Sequence, residues 1–248
     1  NTAASTQENS ADGAADKNIN LASGSSYDDT PIDDHAENKD FSTWAKNFIA
    51  KSGGTLGNSI GVSLISAGNA NSWSQTFTGE AGAGEEAIGQ TVITLDDSST
   101  FQVGDIITFG TDTQNVYRII SVPDGTSITI KPKDGQAGEG LRAAVPAESD
   151  VTRNWKFQDL FDSAPTGSQF VIDASSNLTP ADEIHLVVYD YDGLITGTKD
   201  TVLETFSYVS IASDAVDEKG ESNFIGDVLR YKSNYIYQKD GFWGKVCL

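Results

Sequence analysis

The segment Glu183-Ile-His-Leu-Val-Val-Tyr189 limits the possible folds more than any other part of this chain. Its apolar side chains fall on both faces of an extended backbone, which predicts a central strand covered on both sides rather than an edge strand. Asp192-Gly193 turns the chain, and Val202–Ile211 supplies a second long extended segment. Ser222 is placed to cap a short helix with Phe224, Ile225, Val228 and Leu229 along one side. Tyr235, Ile236 and Tyr237 then read as a strand.

Upstream, Phe41, Trp44, Ala45, Phe48 and Ile49 recur at helical spacing, with Asp40 or Ser42 as the cap and Gly53-Gly54 as the stop. Ile60, Val62 and Leu64 alternate as a strand, and Trp73 and Phe77 continue in extended form toward a Gly-rich stretch, Gly79 to Gly89. Residues 88–147 read as a small all-β module. Thr91–Leu95, Asp105–Phe109, Val116–Val122 and Ser127–Lys131 are short strands, and Asp124-Gly125 is a hairpin signal. The Gly-rich borders on either side place this module as a barrel or sandwich inserted into a host. The expected fold class is therefore α+β: a mixed-sheet body of 41–87 plus 148–248 with short helices, interrupted by the module at 88–147.

Residues 1–40 differ in texture, with nine acidic residues against Lys17 and Lys39 and one aromatic, Tyr27. Such a segment buries too little apolar surface to offset its ordering entropy, so it reads as a loop or arm that neighbours order. Across the chain, 16 Lys and Arg face 36 Asp and Glu, a net charge of −20. That balance argues against gripping nucleic acid or anionic lipid, both of which need clustered positive charge. No apolar run reaches the ~18 residues of a membrane span. The single cysteine, Cys247, cannot form an internal disulfide. The absence of Met and of a secretory leader leads us to expect a processed or excised part of a longer protein.

No catalytic, cofactor-binding or metal-binding residue is assigned. Gly82-x-Gly84 superficially matches a phosphate loop, but Glu80, Glu85 and Glu86 would repel phosphate. Asp190-Tyr-Asp192-Gly193 opens like a calcium loop yet lacks the further ligands, so a hairpin turn is the better reading. His35 and His185 with Cys247 are too few for a His/Cys metal site, and His185 reads as a packed or interface residue. No Gly-x-Ser-x-Gly elbow is present. Nothing depresses the Cys247 pKa beyond a nearby Lys245, and carboxylate pairs are too numerous for spacing to single one out. Asn177-Leu178-Thr179 is a sequon of little meaning without a secretory signal.

The second half also carries recognisable wording. Glu183 to Thr198, with its Asp-Gly and Thr-Gly turn, leads to Val202-Leu203-Glu204-Thr205-Phe206 and then to Val209-Ser-Ile-Ala-Ser-Asp-Ala215. Ser222-Asn223-Phe224, Asp227-Val228 and Lys232-Ser-Asn-Tyr235-Ile236 follow, and Gly57-Asn58-Ser59-Ile60 leads into a strand upstream. Taken in order, these resemble the contractile tail sheath proteins of long-tailed phages over roughly 41–77 and 151–238. The resemblance implies a strand, a turn, a strand, a loop, a helix and a strand, in that order. It implies a structural, non-enzymatic subunit that assembles with copies of itself around the tail tube protein, between baseplate and tail terminator proteins. It also implies a virion location after assembly in the host cytoplasm, and contraction that drives the tube through the host envelope for DNA ejection. Terminal arms would add strands to neighbouring subunits, and the family pattern continues beyond Tyr237 into a tube-facing domain. No cofactor, nucleotide or direct nucleic-acid contact is implied. The alternatives are the sheath of a tailocin or other contractile injection machine, and a receptor- or glycan-binding module carried on a sheath-like body. A hydrolase working through an acidic pair is the remaining reading.

Overall fold

The structure, a computed structural model, describes residues 19–20, 48–67, 73–133, 138–175 and 181–238, with Ile19 and Asn20 described as backbone only. The chain divides into two compact units, the second of which spans Ala70–Asp162. Both are dominated by antiparallel sheets, with few and short helices.

The first unit is organised by β10 (Glu183–Asp190), which lies between β3 (Ile60–Ser66) and β11 (Thr201–Ser210) in a sheet of order β1-β3-β10-β11, where β1 is Ile19–Asn20. Ile184 to Asp190 are all buried. Alternate residues Ile184, Leu186 and Val188 join Ile60, Val62 and Leu64 of β3 in one core. Phe48 and Ala50 of β2 (Phe48–Ala50), Ile236 of β12 (Ile236–Gln238) and Ile225, Val228 and Leu229 of helix α3 (Ile225–Lys232) complete that core. Each of the Ile, Val, Leu and Phe side chains contributes roughly 1.5–3 kcal/mol through burial. The opposite face, His185, Val187 and Tyr189, is buried too. Tyr189 pairs with Gly61 in the β3 register, and a Cβ there would lie 2.5 Å from the Tyr189 ring. The glycine thus makes room for the aromatic. Short helices α1 (Thr55–Asn58) and α2 (Gln169–Ser175) flank the sheet sequence. Gly57 of α1 is required by close approach, since a Cβ would meet the Ser52 carbonyl oxygen at 2.1 Å.

The second unit is a six-stranded antiparallel sheet of order β4-β9-β6-β7-β8-β5. Its strands are β4 (Ser74–Phe77), β5 (Val92–Thr94), β6 (Ile106–Phe109), β7 (Asp112–Asp124), β8 (Ser127–Pro132) and β9 (Val151–Asn154). Ile93, Ile107, Ile119, Ile128, Ile130 and Val151, all fully buried, form its centre.

Several expectations need correction. The body sheet is not mixed: every pairing between named strands among the described residues is antiparallel. Phe48 and Ile49 belong to no helix. With Ala50 they form β2, which pairs with β12, and tertiary burial of all three residues overrides the helical spacing. Phe41, Trp44 and Ala45 lie outside the described residues, as does most of 1–40. Ser222 does not cap α3. Phe224 occupies that position, and the Ser222 hydroxyl donates to Asp227 at 2.7 Å. The second unit is wider than 88–147, because β4 and β9 pair with each other and β9 also pairs with β6.

Gly61→Ala should cost about 1–3 kcal/mol in urea unfolding of the first unit, because a packed ring must shift. Gly84→Ala, where nothing lies within 4 Å of the added Cβ, should stay within about 0.5 kcal/mol of the parent.

Candidate functional site

A strand buried on both faces leaves its ends as the places where polar groups must be satisfied without water. At the C-terminal end of β10, Asp190 is fully buried, and its carboxylate accepts four hydrogen bonds. Gly193 N–H donates to Oδ1 at 3.0 Å; Ile195 N–H, Thr196 N–H and the Thr196 hydroxyl donate to Oδ2 at 3.0, 2.6 and 2.8 Å. Burial opposes ionisation, but these donors outweigh it and hold the carboxyl below the ordinary aspartate range. Asp192 accepts from Leu194 N–H at 3.0 Å and from the Ser59 hydroxyl at 3.2 Å, tying the turn to the start of β3. Three of these donors converge on Oδ2 and one on Oδ1, which ties the carboxylate to its own turn, so the hairpin-turn reading fits this geometry better than a calcium loop.

At the other end of β10, Asp182 accepts from Ser168 N–H and Ser168 Oγ, both at 2.8 Å, and from Ser210 Oγ. Glu183 accepts from Thr166 N–H and Oγ1. Its carboxyl is raised, chiefly by burial. His185 is packed as expected, fully buried, with Nε2 at 2.8 Å from the Ser163 carbonyl oxygen and Nδ1 at 3.1 Å from Tyr208 N–H.

The β2–β12 sheet is locked by Lys51. Its Nζ donates to the carbonyls of Leu229, Arg230 and Ser233 at 3.2, 3.0 and 2.6 Å and lies 4.3 Å from the Tyr237 ring centre. A cation at the carbonyl end of α3 satisfies acceptors the helix leaves open and complements its dipole. Each strand of this two-stranded sheet is a sheet edge among the described residues.

In the second unit, Asp105 and Arg153 face each other at 4.0 Å, both almost wholly buried. Asp105 accepts from Gln102 N–H at 2.9 Å, and Arg153 donates to the Thr100 carbonyl at 3.0 Å. Burial pushes the Asp105 carboxyl up to about 6 despite the guanidinium. A cleft of about 230 Å³ lies between the β6–β7 turn and residues 143–149, with Tyr117 and Asp112 among its walls.

Much of the acidity sits in turns. Asp97, Asp112, Asp124 and Asp217 each accept the N–H of the residue two positions on. Hydrogen bonds hold all four below the usual range, chiefly from Ser99 for Asp97, Asn115 for Asp112, Thr126 for Asp124 and Glu221 for Asp217. The Gly79–Gly89 stretch opens no helix. Glu80 and Glu86 accept the N–H groups of Asp97 and Thr94, which is wall-building rather than phosphate binding. His35, Asn177 and Cys247 lie outside the described residues. Among the described residues, no group of three His, Cys, Asp or Glu side chains could hold a metal ion. The buried carboxylate itself was missed, since Asp190 was read only as part of a hairpin turn; the spacing Asp190, Gly193, Thr196 is the signal that could have found it. Lys51 and Arg153 had none, since Lys51 meets partners 178 to 182 residues away. No protein-family model, curated protein or solved structure significantly matches this chain.

Asp190→Asn should cost about 1–3 kcal/mol, because an amide nitrogen would face backbone N–H donors. Calcium and chelator should give the same melting curve for the parent chain. The second unit should lose stability as pH rises from about 4 through about 6. Asp105 has a folded pKa above its unfolded value, so its contribution is full below the unfolded pKa and vanishes above the folded one. Asp105→Asn should flatten that slope in pH-dependent thermal melts.

Proposed function

We propose that this chain is a structural subunit of a phage contractile tail sheath, acting mechanically rather than as an enzyme. The observation that supports this most is element order. The resemblance calls for a strand, a turn, a strand, a loop, a helix and a strand, and residues 183–238 run β10, turn, β11, loop, α3, β12. The upstream Gly57-Asn58-Ser59-Ile60 stretch leads directly into β3, beside β10. Its Gly57 and Ser59 have packing reasons of their own, in the Ser52 approach and the Asp192 bond.

In this reading copies of the chain stack helically around a tube protein, between baseplate and terminator proteins, in a virion assembled in the host cytoplasm. Heterologous, non-closing contacts generate such an array. Two packings of the same subunits, separated by a barrier, let it shorten without a nucleotide. Among the described residues β2 and β12 pair only with each other, a short sheet at whose margin a neighbour's extended arm could add a strand. We read the second unit as a small barrel or sandwich inserted in this body. Gly82 N–H donates to the Thr94 carbonyl while Ala81 N–H donates to the Ser149 carbonyl, which sets the segment after β4 between the end of β5 and the approach to β9. A tailocin or injection-machine sheath shares the same argument.

A glycan-binding module is less well supported. Phe101, Phe109 and Tyr117 are core residues, and the exposed large apolar side chains of 88–147 are the aliphatic Ile88, Val92, Val103 and Ile120. Mixing the full-length protein with its tube protein should give large assemblies that pellet at high speed, and proline substitution at Ile49 in β2 should abolish them while leaving the second unit folded. Equal pelleting by parent and variant would count against the edge-strand account. Retention on immobilised host glycans without pelleting would favour the binding module.

A further inference from the structure

We propose that His185 is a latch, closed when its ring is neutral, that holds the point where the chain re-enters the first unit and opens in mild acid. The second unit ends at Asp162, and the chain returns with Ser163. Segment 163–168 is fastened by three side chains at the start of β10: His185 at the Ser163 carbonyl, Glu183 at Thr166 and Asp182 at Ser168. The His185 bond differs in kind from the others. Nδ1 accepts Tyr208 N–H, so Nε2 carries the proton and donates to Ser163, and both ring nitrogens are engaged with backbone. A second proton must go on Nδ1, where it would confront the Tyr208 N–H. The bond is lost, and a charge is left in a fully buried site.

Strain sits at the same place. Tyr208 has φ of 53° in a bulge of β11, where Ser207 and Tyr208 together oppose the single residue His185, and such a conformation is costly for an aromatic residue. Its ring meets the His185 ring edge-on at 4.5 Å, and its hydroxyl lies 2.8 Å from Ser163 Oγ. Opening the latch would therefore relax the bulge and free Ser163 together.

The surrounding groups are few. β3 and segment 163–168 contribute no titratable side chain; β11 contributes the Tyr208 phenol and Glu204, the latter bonded to Ser233 and Asn234; β10 contributes Glu183, Tyr189 on the His185 face and Asp190 at its far end, and Asp182 immediately precedes it. On α2, Asp173 is engaged with Gln169. Burial lowers the His185 pKa and outweighs backbone hydrogen bonds at Ser163 and Ile184 that favour the charged ring, so its contribution is full above its unfolded value of 6.5 and is lost as pH falls below that. Glu183 acts in the opposite sense, its raised pKa favouring the fastened state at low pH.

The test is hydrogen exchange with ring NMR on the full chain from pH 7.5 to 4.5, corrected for intrinsic exchange rates. The sequence has two histidines, so His35→Gln assigns the ring signals. We expect His185 to be the Nε2–H tautomer at pH 7.5 and to titrate below 6.5. Protection at the Tyr208 and Thr166 amides should fall about tenfold or more relative to the β3–β10 ladder over the same range. Glu183→Gln should steepen that loss. His185→Gln, whose amide can donate to Ser163 and accept from Tyr208 but cannot titrate, should show flat protection. If that variant does not fold, the native ring titration decides. A His185 pKa at or above 6.5, an unchanged Tyr208-to-ladder ratio, or simultaneous loss of the ladder overturns the proposal.

Discussion

A strand that is dry on both faces sets the terms for the first unit. Once Ile184, Leu186 and Val188 face one side and His185, Val187 and Tyr189 the other, no water reaches the middle of β10. The chain must therefore enter and leave this strand through fully bonded polar groups, because each buried donor or acceptor left open would cost about 1–3 kcal/mol. Asp182, Glu183 and His185 meet that demand on entry, and Asp190 meets it on exit. The turn, the returning segment 163–168 and the lead-in to β3 all take their positions from these few side chains.

The same constraint shapes what the unit can offer a partner. Its centre is closed and buried, while the short β2–β12 pair forms a two-stranded sheet of its own among the described residues. Two-stranded sheets are marginal alone, and this one depends on packing with α3 and on Lys51, which joins β2 to the helix carbonyls and to the Tyr237 ring. A margin built this way suits a subunit whose neighbours complete it, which is the physical content of the sheath reading. The acidic surface fits equally well with a simpler origin, since many of its aspartates are turn caps.

Sequence legibility followed the range of the interactions. Strands β10, β11 and β12, the apolar face of α3 and the short strands of the second unit were readable, because periodicity and turn residues act locally. Phe48 and Ile49 misled for the opposite reason. Their helical spacing was real, but pairing with Ile236–Gln238 almost two hundred residues on decided the outcome. The borders of the second unit were drawn too tightly because the Gly-rich stretches are part of its wall, with Ala81 bridged to Leu95 and Glu86 to Val145. His185 was legible as a packed residue, but not as a ring held between two backbone groups. That required the bulge at Tyr208, which no local pattern announces.

The sheath assignment is the central claim, and electron microscopy of the negatively stained full-length protein, alone and with its tube protein, tests it most directly. The account predicts hollow, striated cylinders of uniform width. Dispersed single particles across salt and protein concentration, with the tube protein present, would contradict it.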